Sequence, residues 1–338
     1  MTLKTNYLGL ELKNPLVPSA SPLSRDLDMA KRLEDAGASA LVMYSLFEEE
    51  ITREEEELEK LWECQDIGHC EADDYLPVHY DYRTQREEYL EQLAALKESL
   101  EIPVIASLNG ITASGWTEHA KELQDAGADA LELNIYYVAA DMNQTSQEVE
   151  DRYIKILKAI KAEIYLPITV KLSYQFSSPA YLIKQLEHAG ADGVVLFNRF
   201  FHPDIDINRQ EVTTTLMLSN PYEALMRLHW IGLLYNRVHL SMAATGGIHS
   251  ANEVIKLLLA GADVTHLCTT LLENGPGIIK EILRDIKTWM EEYEYESIEQ
   301  LKGSVSQMNV TDPAAYERAN YMEILKKKEY SPGSLSEK

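Results

Sequence analysis

The chain of 338 residues carries 31 Lys and Arg against 55 Asp and Glu, a formal net charge of −24 at pH 7. So acidic a surface repels phosphate backbones and anionic lipids, and it excludes nucleic acid and membranes as expected partners. A hydrophobic content of 45% excludes global disorder. Because no apolar run approaches the roughly 20 residues of a membrane span and the three cysteines are scattered, we expect a cytoplasmic protein.

An internal repeat predicts the order of strands. Four segments end a helix-like stretch with Ala-Gly-Ala, where Gly is expected to stop the helix in the left-handed region, and an apolar run follows each. Four further apolar runs alternate with these, and three begin with Pro, which is tolerated at the first residue of a strand. The predicted strands are Pro15–Ser19, Ala40–Ser45, Pro103–Leu108, Ala130–Ile135, Pro167–Leu172, Gly193–Asn198, Val238–Thr245 and Val264–Cys268.

Helix-like stretches separate the strands, among them Leu27–Asp35, Thr117–Asp125, Pro179–His188 and Ala251–Leu259. This alternation favours parallel β-α-β units, and eight units in roughly 250 residues match a TIM barrel. A doubly wound open sheet is the alternative, but the four paired units fit the symmetry of a barrel better. We therefore predict an α/β fold, a (β/α)8 TIM barrel over residues 1–310.

Two segments fall outside the repeat. After the second strand, residues 47–85 contain the acidic stretch Glu48–Glu59 and several aromatic residues. Loops that follow barrel strands lie on the catalytic face, so we expect an extended acidic loop that serves as a lid, although Glu54–Glu59 also fits a solvated helix face. Residues 311–338 are expected to form a C-terminal helix, within Tyr316–Lys328, and a flexible tail.

Glycine and hydroxyl residues mark the ends of the last two strands. Strand seven ends in Thr245-Gly246-Gly247, and strand eight is followed by Thr269-Thr270. Glycines let backbone N–H groups approach an anion, and the loops after strands seven and eight of barrels commonly hold phosphate. We therefore predict phosphate binding by these five residues, with tight structural turns as the alternative.

Polar side chains are also expected at the ends of the middle strands. Lys171 in an apolar strand is costly unless its ammonium meets a polar ligand, or a carboxylate such as Glu132 on the neighbouring strand. Asn134 and Asn198 end strands four and six, and carboxamides suit the edges of polar heterocycles because they both donate and accept. Together with Asn109, these side chains are predicted to form a polar ring at one level of the barrel.

With these residues in place, the sequence resembles the dihydroorotate dehydrogenase family of FMN barrels, especially its class-one members, from Asn14 to about Gly303. The motifs that carry the resemblance are Asn14–Ser21 (NPLVPSAS), Ser107–Gly110 (SLNG), Glu132–Asn134 (ELN), Val170–Leu172 (VKL), Thr245–Ile248 (TGGI) and Thr269–Pro276 (TTLLENGP).

The resemblance implies FMN as cofactor, a small-molecule substrate and a homodimer. It places Ala20 and Ser21 along the edge of the isoalloxazine ring. It also implies that Asn134, Lys171 and Asn198 contact the ring or the substrate, and that the predicted phosphate-binding residues hold the FMN phosphate.

Two positions depart from the family pattern. Three residues after the strand-four Asn the family has a Cys or Ser base, whereas Tyr137 stands here, and Met43 stands where a substrate-contacting Lys ends strand two. A Tyr, with an unperturbed pKa of about 10, is a poor base at neutral pH but a suitable general acid. We therefore predict Tyr137 or Tyr136 as proton donor or acceptor beside Lys171, in an enzyme that oxidises dihydroorotate to orotate in pyrimidine biosynthesis or acts on another substrate.

Two other functions fit the sequence. One is a colourless barrel lyase or isomerase that binds a phosphorylated substrate and uses Lys171 as a Schiff-base or general-acid lysine. The other is a flavin-binding electron-transfer partner without catalytic activity. The nine histidines show no ligand spacing such as His-x-x-x-His, so no metal site is predicted.

Overall fold

The computed structural model of the chain describes residues 1–54, 56, 84–110, 113–317 and 322. Its strands are β1 (Thr5–Tyr7), β2 (Leu10–Leu12), β3 (Leu16–Pro18), β4 (Leu41–Phe47), β5 (Val104–Asn109), β6 (Ala130–Asn134), β7 (Ile168–Leu172), β8 (Gly193–Leu196), β9 (Pro203–Asp206), β10 (Glu211–Thr214), β11 (Ser241–Thr245) and β12 (Val264–Leu267). Within the described residues, eight of these strands form one parallel sheet in the order β3-β12-β11-β8-β7-β6-β5-β4.

Helices connect the strands of this sheet. They are α1 (Leu27–Asp35), α2 (Gln85–Ser99), α3 (Ala113–Asp125), α4 (Ser146–Lys161), α5 (Pro179–His188), α6 (Glu223–Leu234), α7 (Ala251–Ala260), α8 (Thr269–Asn274), α9 (Ile278–Glu292) and α10 (Ile298–Leu301). Capping boxes begin α2, α4 and α7, as in α2, where the Thr84 side chain and Glu87 satisfy each other's backbone N–H groups.

The predicted (β/α)8 barrel is confirmed. The two ends of the strand order meet where Ser39, just before β4, donates its backbone N–H to the carbonyl of Leu16 in β3 at 3.0 Å. Strand seven begins at Ser241, later than the sequence predicts, because the apolar residues Val238 and Leu240 are buried in the loop before the strand. The end of the acidic stretch, the aromatic part of the predicted lid and most of Tyr316–Lys328 lie outside the described residues.

The sequence repeat corresponds to a turn that recurs four times. Its glycines have φ values of +111°, +95°, +98° and +125°, at Gly37, Gly127, Gly190 and Gly261. The left-handed region is accessible to Gly at little cost, which explains its presence at each helix end. Two residues later, a backbone N–H donates to a carbonyl at the start of the preceding barrel strand, in the pairs Ser39–Leu16, Asp129–Val104, Asp192–Ile168 and Asp263–Met242.

In three of these turns an aspartate adds a second link between the same strands. Its Oδ2 accepts the backbone N–H of the preceding strand at 2.7 Å, in the pairs Asp129–Val104, Asp192–Ile168 and Asp263–Met242. Each carboxylate also pairs with a lysine: Lys97, Lys161 and Lys302, respectively. Hydrogen bonds to a charged acceptor are the stronger kind, so these aspartates fix the strand starts and the register.

The hairpin of β1 and β2 closes the amino-terminal end of the barrel. Tyr7, Leu8 and Leu12 are buried against interior side chains such as Val42 and Ala243. A separate and larger core lies between the sheet and the helices. Among the described residues, we find no helix with the length and hydrophobicity needed to span a bilayer.

We expect Tyr7→Ala to lower the free energy of unfolding by about 3–5 kcal/mol, because a fully buried aromatic ring leaves the barrel interior. Tyr7→Phe is the matched control. It removes only the hydroxyl, which donates to Thr169 Oγ1 at 3.4 Å, and its loss is expected to stay below about 1.5 kcal/mol. Urea unfolding measures both variants, and equal small losses would show that the hairpin contributes little to stability.

Candidate functional site

Four buried polar side chains meet at the barrel mouth, defined here as the carboxyl ends of the barrel strands. The parallel register places Asn109, Asn134 and Lys171 side by side on β5, β6 and β7. Asn198 follows β8, and its Nδ2 donates to Asn134 Oδ1 at 2.7 Å. All four are at most 9% exposed. The structure therefore brings these four residues together as a polar ring, with donors and acceptors at one level.

Lys171 also makes the ion pair that was the alternative to a ligand-facing role. Its Nζ lies 3.2 Å from Oε1 of Glu132, which is fully buried two residues before Asn134 on β6. The same oxygen accepts from Ser107 Oγ at 3.5 Å, and Ser107 Oγ is 2.9 Å from Ser45 Oγ. A buried carboxylate one layer deeper in the barrel thus holds the ammonium of Lys171 beside the polar ring.

His266 on β12 lies on the other side of Glu132, and the sequence reasoning did not identify it. Its Nδ1 is 3.8 Å from Glu132 Oε2, and neither ring nitrogen has a hydrogen-bond partner among the described residues. Burial, and next the charge of Lys171, lowers the pKa of His266 to about 3, so the ring is neutral at neutral pH. The sequence does contain a signal for it, because a histidine stands within the apolar run of the eighth strand.

The loops after β11 and β12 contact each other, as their predicted phosphate role requires. Gly246 and Gly247 have φ values of +91° and +78°. A Cβ at Gly247 would lie 2.4 Å from the backbone N of Ala224, so the start of α6 packs directly on this loop. Thr270 Oγ1 donates to the carbonyl of His249 at 3.2 Å, which joins the two loops.

Two further residues support these loops and were missed. Ser219 Oγ donates to Thr269 Oγ1 at 2.8 Å and lies 3.3 Å from His249 Nε2. Arg227 is buried, and its Nε donates to the carbonyl of Thr245 at 2.8 Å. Both come from the segment after β10, where no sequence pattern pointed to the phosphate loops.

Ala20 and Ser21 follow β3 at the same mouth. Ser19 just before them donates its backbone N–H to the carbonyl of Leu267 in β12 at 2.8 Å. Ala20 packs against the interior cluster, and the carbonyl of buried Ser21 accepts from Ser24 Oγ at 3.1 Å. Both residues therefore lie next to the end of β12.

The two tyrosines after β6 face different neighbours. The ring of Tyr136 stacks on Phe200 with centroids 4.0 Å apart, and its hydroxyl accepts the backbone N–H of Phe201 at 3.0 Å. Tyr137 donates its hydroxyl to Gln144 Oε1 at 2.6 Å. Tyr136 therefore links the loops after β6 and β8, whereas Tyr137 lies against the segment before α4.

Met43 does not lie at the mouth, and that expectation is wrong. The register between β4 and β5 shifts between Val42 and Ser45. Met43 is fully buried in the core between the sheet and the helices. Ser45, which pairs in register with Ser107, takes the interior position instead.

Comparisons with known proteins agree on one family. The family model described as "Dihydroorotate dehydrogenase" matches residues 80–290. Proteins named "Dihydroorotate dehydrogenase B (NAD(+)), catalytic subunit" are similar over most of their length. The one from Thermoplasma volcanium is 26% identical over 321 residues, which cover 89% of this chain and 97% of the relative. The one from Pyrococcus abyssi is 27% identical over 306 residues, which cover 89% and 98%.

The neutral state of His266 predicts a dependence of stability on pH. The folded state resists protonation of His266 down to about pH 3, whereas the unfolded chain takes up this proton near pH 6.5. The unfolded state therefore binds more protons in this window, and stability falls as the pH falls from about 6.5 towards 3.

When the pH drops from 8 to 5, we expect the unfolding free energy of His266→Gln to fall by about 2 kcal/mol less than that of the unsubstituted protein. Urea unfolding of both proteins at the two pH values measures this difference, and the other titrating groups cancel in the comparison. Parallel losses in the two proteins would show that His266 is not held neutral.

Proposed function

Because the chain belongs to the dihydroorotate dehydrogenase family, we propose that it is an FMN-dependent oxidoreductase that acts on a CH–CH bond of its substrate. The observation that supports this most is the polar ring. Three carboxamides and one ammonium, all at least nine-tenths buried, lie at the carboxyl ends of neighbouring strands. Few but convergent polar groups of this kind fix the orientation of a flat heterocycle in a barrel mouth.

The residues at the mouth fit both ends of FMN. For the ring system, Asn109, Asn134, Lys171 and Asn198 offer donors and acceptors, with Ala20 and Ser21 along one edge. For the phosphate, the residues are Thr245, Gly246, Gly247, Thr269 and Thr270. Thr269 Oγ1 accepts both hydrogen bonds that Ser219 donates, so its own hydroxyl hydrogen can turn to a phosphate oxygen. Bound FMN supplies the hydride chemistry, and the protein handles the proton.

We assign the transfer of the proton to or from the substrate to Tyr137 or Tyr136. Tyr137 is held by its bond to Gln144 and by the guanidinium of Arg152, whose carbon lies 4.1 Å from the ring centroid. A neutral amide oxygen does not remove the phenolic proton, so this arrangement suits a general acid. Tyr136 uses its hydroxyl oxygen to accept an N–H group, which leaves its hydrogen for donation.

The substrate can differ from dihydroorotate, the compound in the names of the relatives. Tyr137 stands at the position of the family's Cys or Ser base. In addition, two cations beside the mouth are already paired: Lys171 with Glu132 at 3.2 Å and Arg199 with Glu223 at 3.3 Å. The carboxylate of dihydroorotate would compete with these internal partners, whereas an uncharged dihydropyrimidine would not.

We expect the purified protein, as isolated or after reconstitution, to bind FMN and to show flavin absorption bands. Thr269→Val is expected to weaken FMN binding about 10-fold or more, because one hydrogen bond to a charged group is lost. Binding of riboflavin, which lacks the phosphate, is the matched control and should not change. Fluorescence titration measures both ligands, and a protein that binds neither would rule out the proposed cofactor.

Anaerobic addition of dihydroorotate, or of dihydrouracil as an uncharged analogue, tests the reaction. Bleaching of the flavin bands identifies the substrate. In the reverse direction, orotate or uracil reoxidises the reduced flavin and the substrate carbon takes up a proton. There Tyr137→Phe is expected to slow the return of the flavin bands by about 10²–10⁴-fold at unchanged FMN affinity, because the positioned general acid is lost. Tyr136→Phe is the paired variant that separates the two tyrosines. Unchanged rates in both would refute a role for either, and bands that neither compound bleaches would exclude both substrates while retaining the cofactor.

A further inference from the structure

The barrel interior beneath the polar ring holds charges that packing alone does not require. Glu132 and His266 are at most 1% exposed, and Lys171 is 6% exposed. A buried ion pair adds little stability compared with well-packed apolar residues, because both charges lose their hydration. The hairpin residues directly below are apolar, so an apolar filling of this layer was available to the fold. The pair therefore calls for a functional explanation.

The geometry of the pair suggests what it does. Lys171 is in register with Asn134, whereas Glu132 lies two residues earlier on β6 and faces the same interior. The carboxylate thus holds the ammonium from the amino-terminal side, at 3.2 Å. A lysine side chain has four rotatable carbons and would otherwise sample many positions in an open mouth. An ammonium has three N–H donors, and this contact uses one of them, which leaves two for a ligand.

We propose that Glu132 is the positioning residue for Lys171. Its carboxylate holds the ammonium at the level of the polar ring and compensates part of its charge, so that a bound flavin meets a directed donor rather than a full positive charge. The electrostatic part of this inference rests on the proposed FMN site, and the positioning part does not.

His266 is an uncharged side chain that flanks the carboxylate of Glu132 on the side away from Lys171. It approaches the second carboxylate oxygen, Oε2, to 3.8 Å, while the hydrogen bonds of the first oxygen, Oε1, come from Lys171 and Ser107. The edge of the Tyr7 ring packs against the imidazole, with centroids 5.9 Å apart. A neutral imidazole at this distance does not compete with Lys171 for the carboxylate. The negative charge of Glu132 is therefore directed to a single cation.

The positioning part is tested in the protein without flavin. Glu132→Gln leaves a buried ammonium without a counter-charge, whereas Glu132→Gln combined with Lys171→Met removes both charges. We expect the single Gln variant to have a lower melting temperature than the double variant, which is the non-additivity of a directly coupled pair. Additive losses would overturn the proposal. If Glu132→Gln does not fold, recovery of folding in the double variant supports the pairing, and equal failure overturns it.

The electrostatic part is tested by the midpoint potential of bound FMN, measured by spectroelectrochemistry. Removal of the negative charge in Glu132→Gln should shift the potential to a more positive value, because reduction adds negative charge to the flavin. Lys171→Met should shift it to a more negative value. Thr169→Val is the matched control, since Thr169 pairs in register with Glu132 but carries no charge, and its potential should not change.

An unchanged or more negative potential in Glu132→Gln would overturn the electrostatic part. A merely structural role of Glu132 would alter stability without this signed shift. If the protein binds no FMN, the proposed function fails, and the melting temperatures of the flavin-free variants still decide whether Glu132 positions Lys171.

Discussion

The barrel depends on one recurring hydrogen bond, which the backbone N–H two positions after a turn glycine donates to the carbonyl at the start of the preceding barrel strand. It recurs at all four glycine turns, and in three of them an aspartate carboxylate adds a second hydrogen bond between the same strands. Because side chains alternate between the two faces of a strand, a slip of one residue would exchange interior and exterior. The links at Asp129 and Asp192 therefore determine that Asn134 and Lys171 face the interior at the carboxyl ends, far from the turns themselves.

The same register divides the interior into an apolar part and a polar part. Residues of the hairpin fill the amino-terminal end, where no ligand needs to enter. The polar groups begin one layer higher, with Glu132, and continue to the ring at Asn134. Proteins depart from apolar packing of the interior chiefly at functional sites, where polar or charged groups bind a ligand. Both ring nitrogens of His266 and Oε2 of Glu132 have no hydrogen-bond partner among the described residues, which fits that pattern.

Features that depend on residues close together in the chain could be predicted from the sequence, whereas features that depend on tertiary packing could not. The barrel strands could be predicted because each repeat carries its own glycine and apolar run. Met43 was misplaced because a register shift depends on the neighbouring strand, which the alternation of side chains within β4 does not reveal. Ser219 and Arg227 were missed because tertiary packing, rather than a motif, brings the start of α6 onto the loop at Gly247. The hairpin of β9 and β10 was missed because its side chains are mostly exposed and lack a buried face.

The two sides of the proposed flavin site obey different constraints. The side assigned to the cofactor is built from strand ends and from glycines whose conformation the barrel imposes, so a substitution there would disturb the framework itself. The side assigned to the substrate is built from loops, where the contacts of Tyr136 with Phe200 and of Tyr137 with Gln144 depend on local side chains. Loops tolerate substitution while the framework does not. A change of substrate with a retained cofactor is therefore the physically simplest way for this barrel to depart from its relatives.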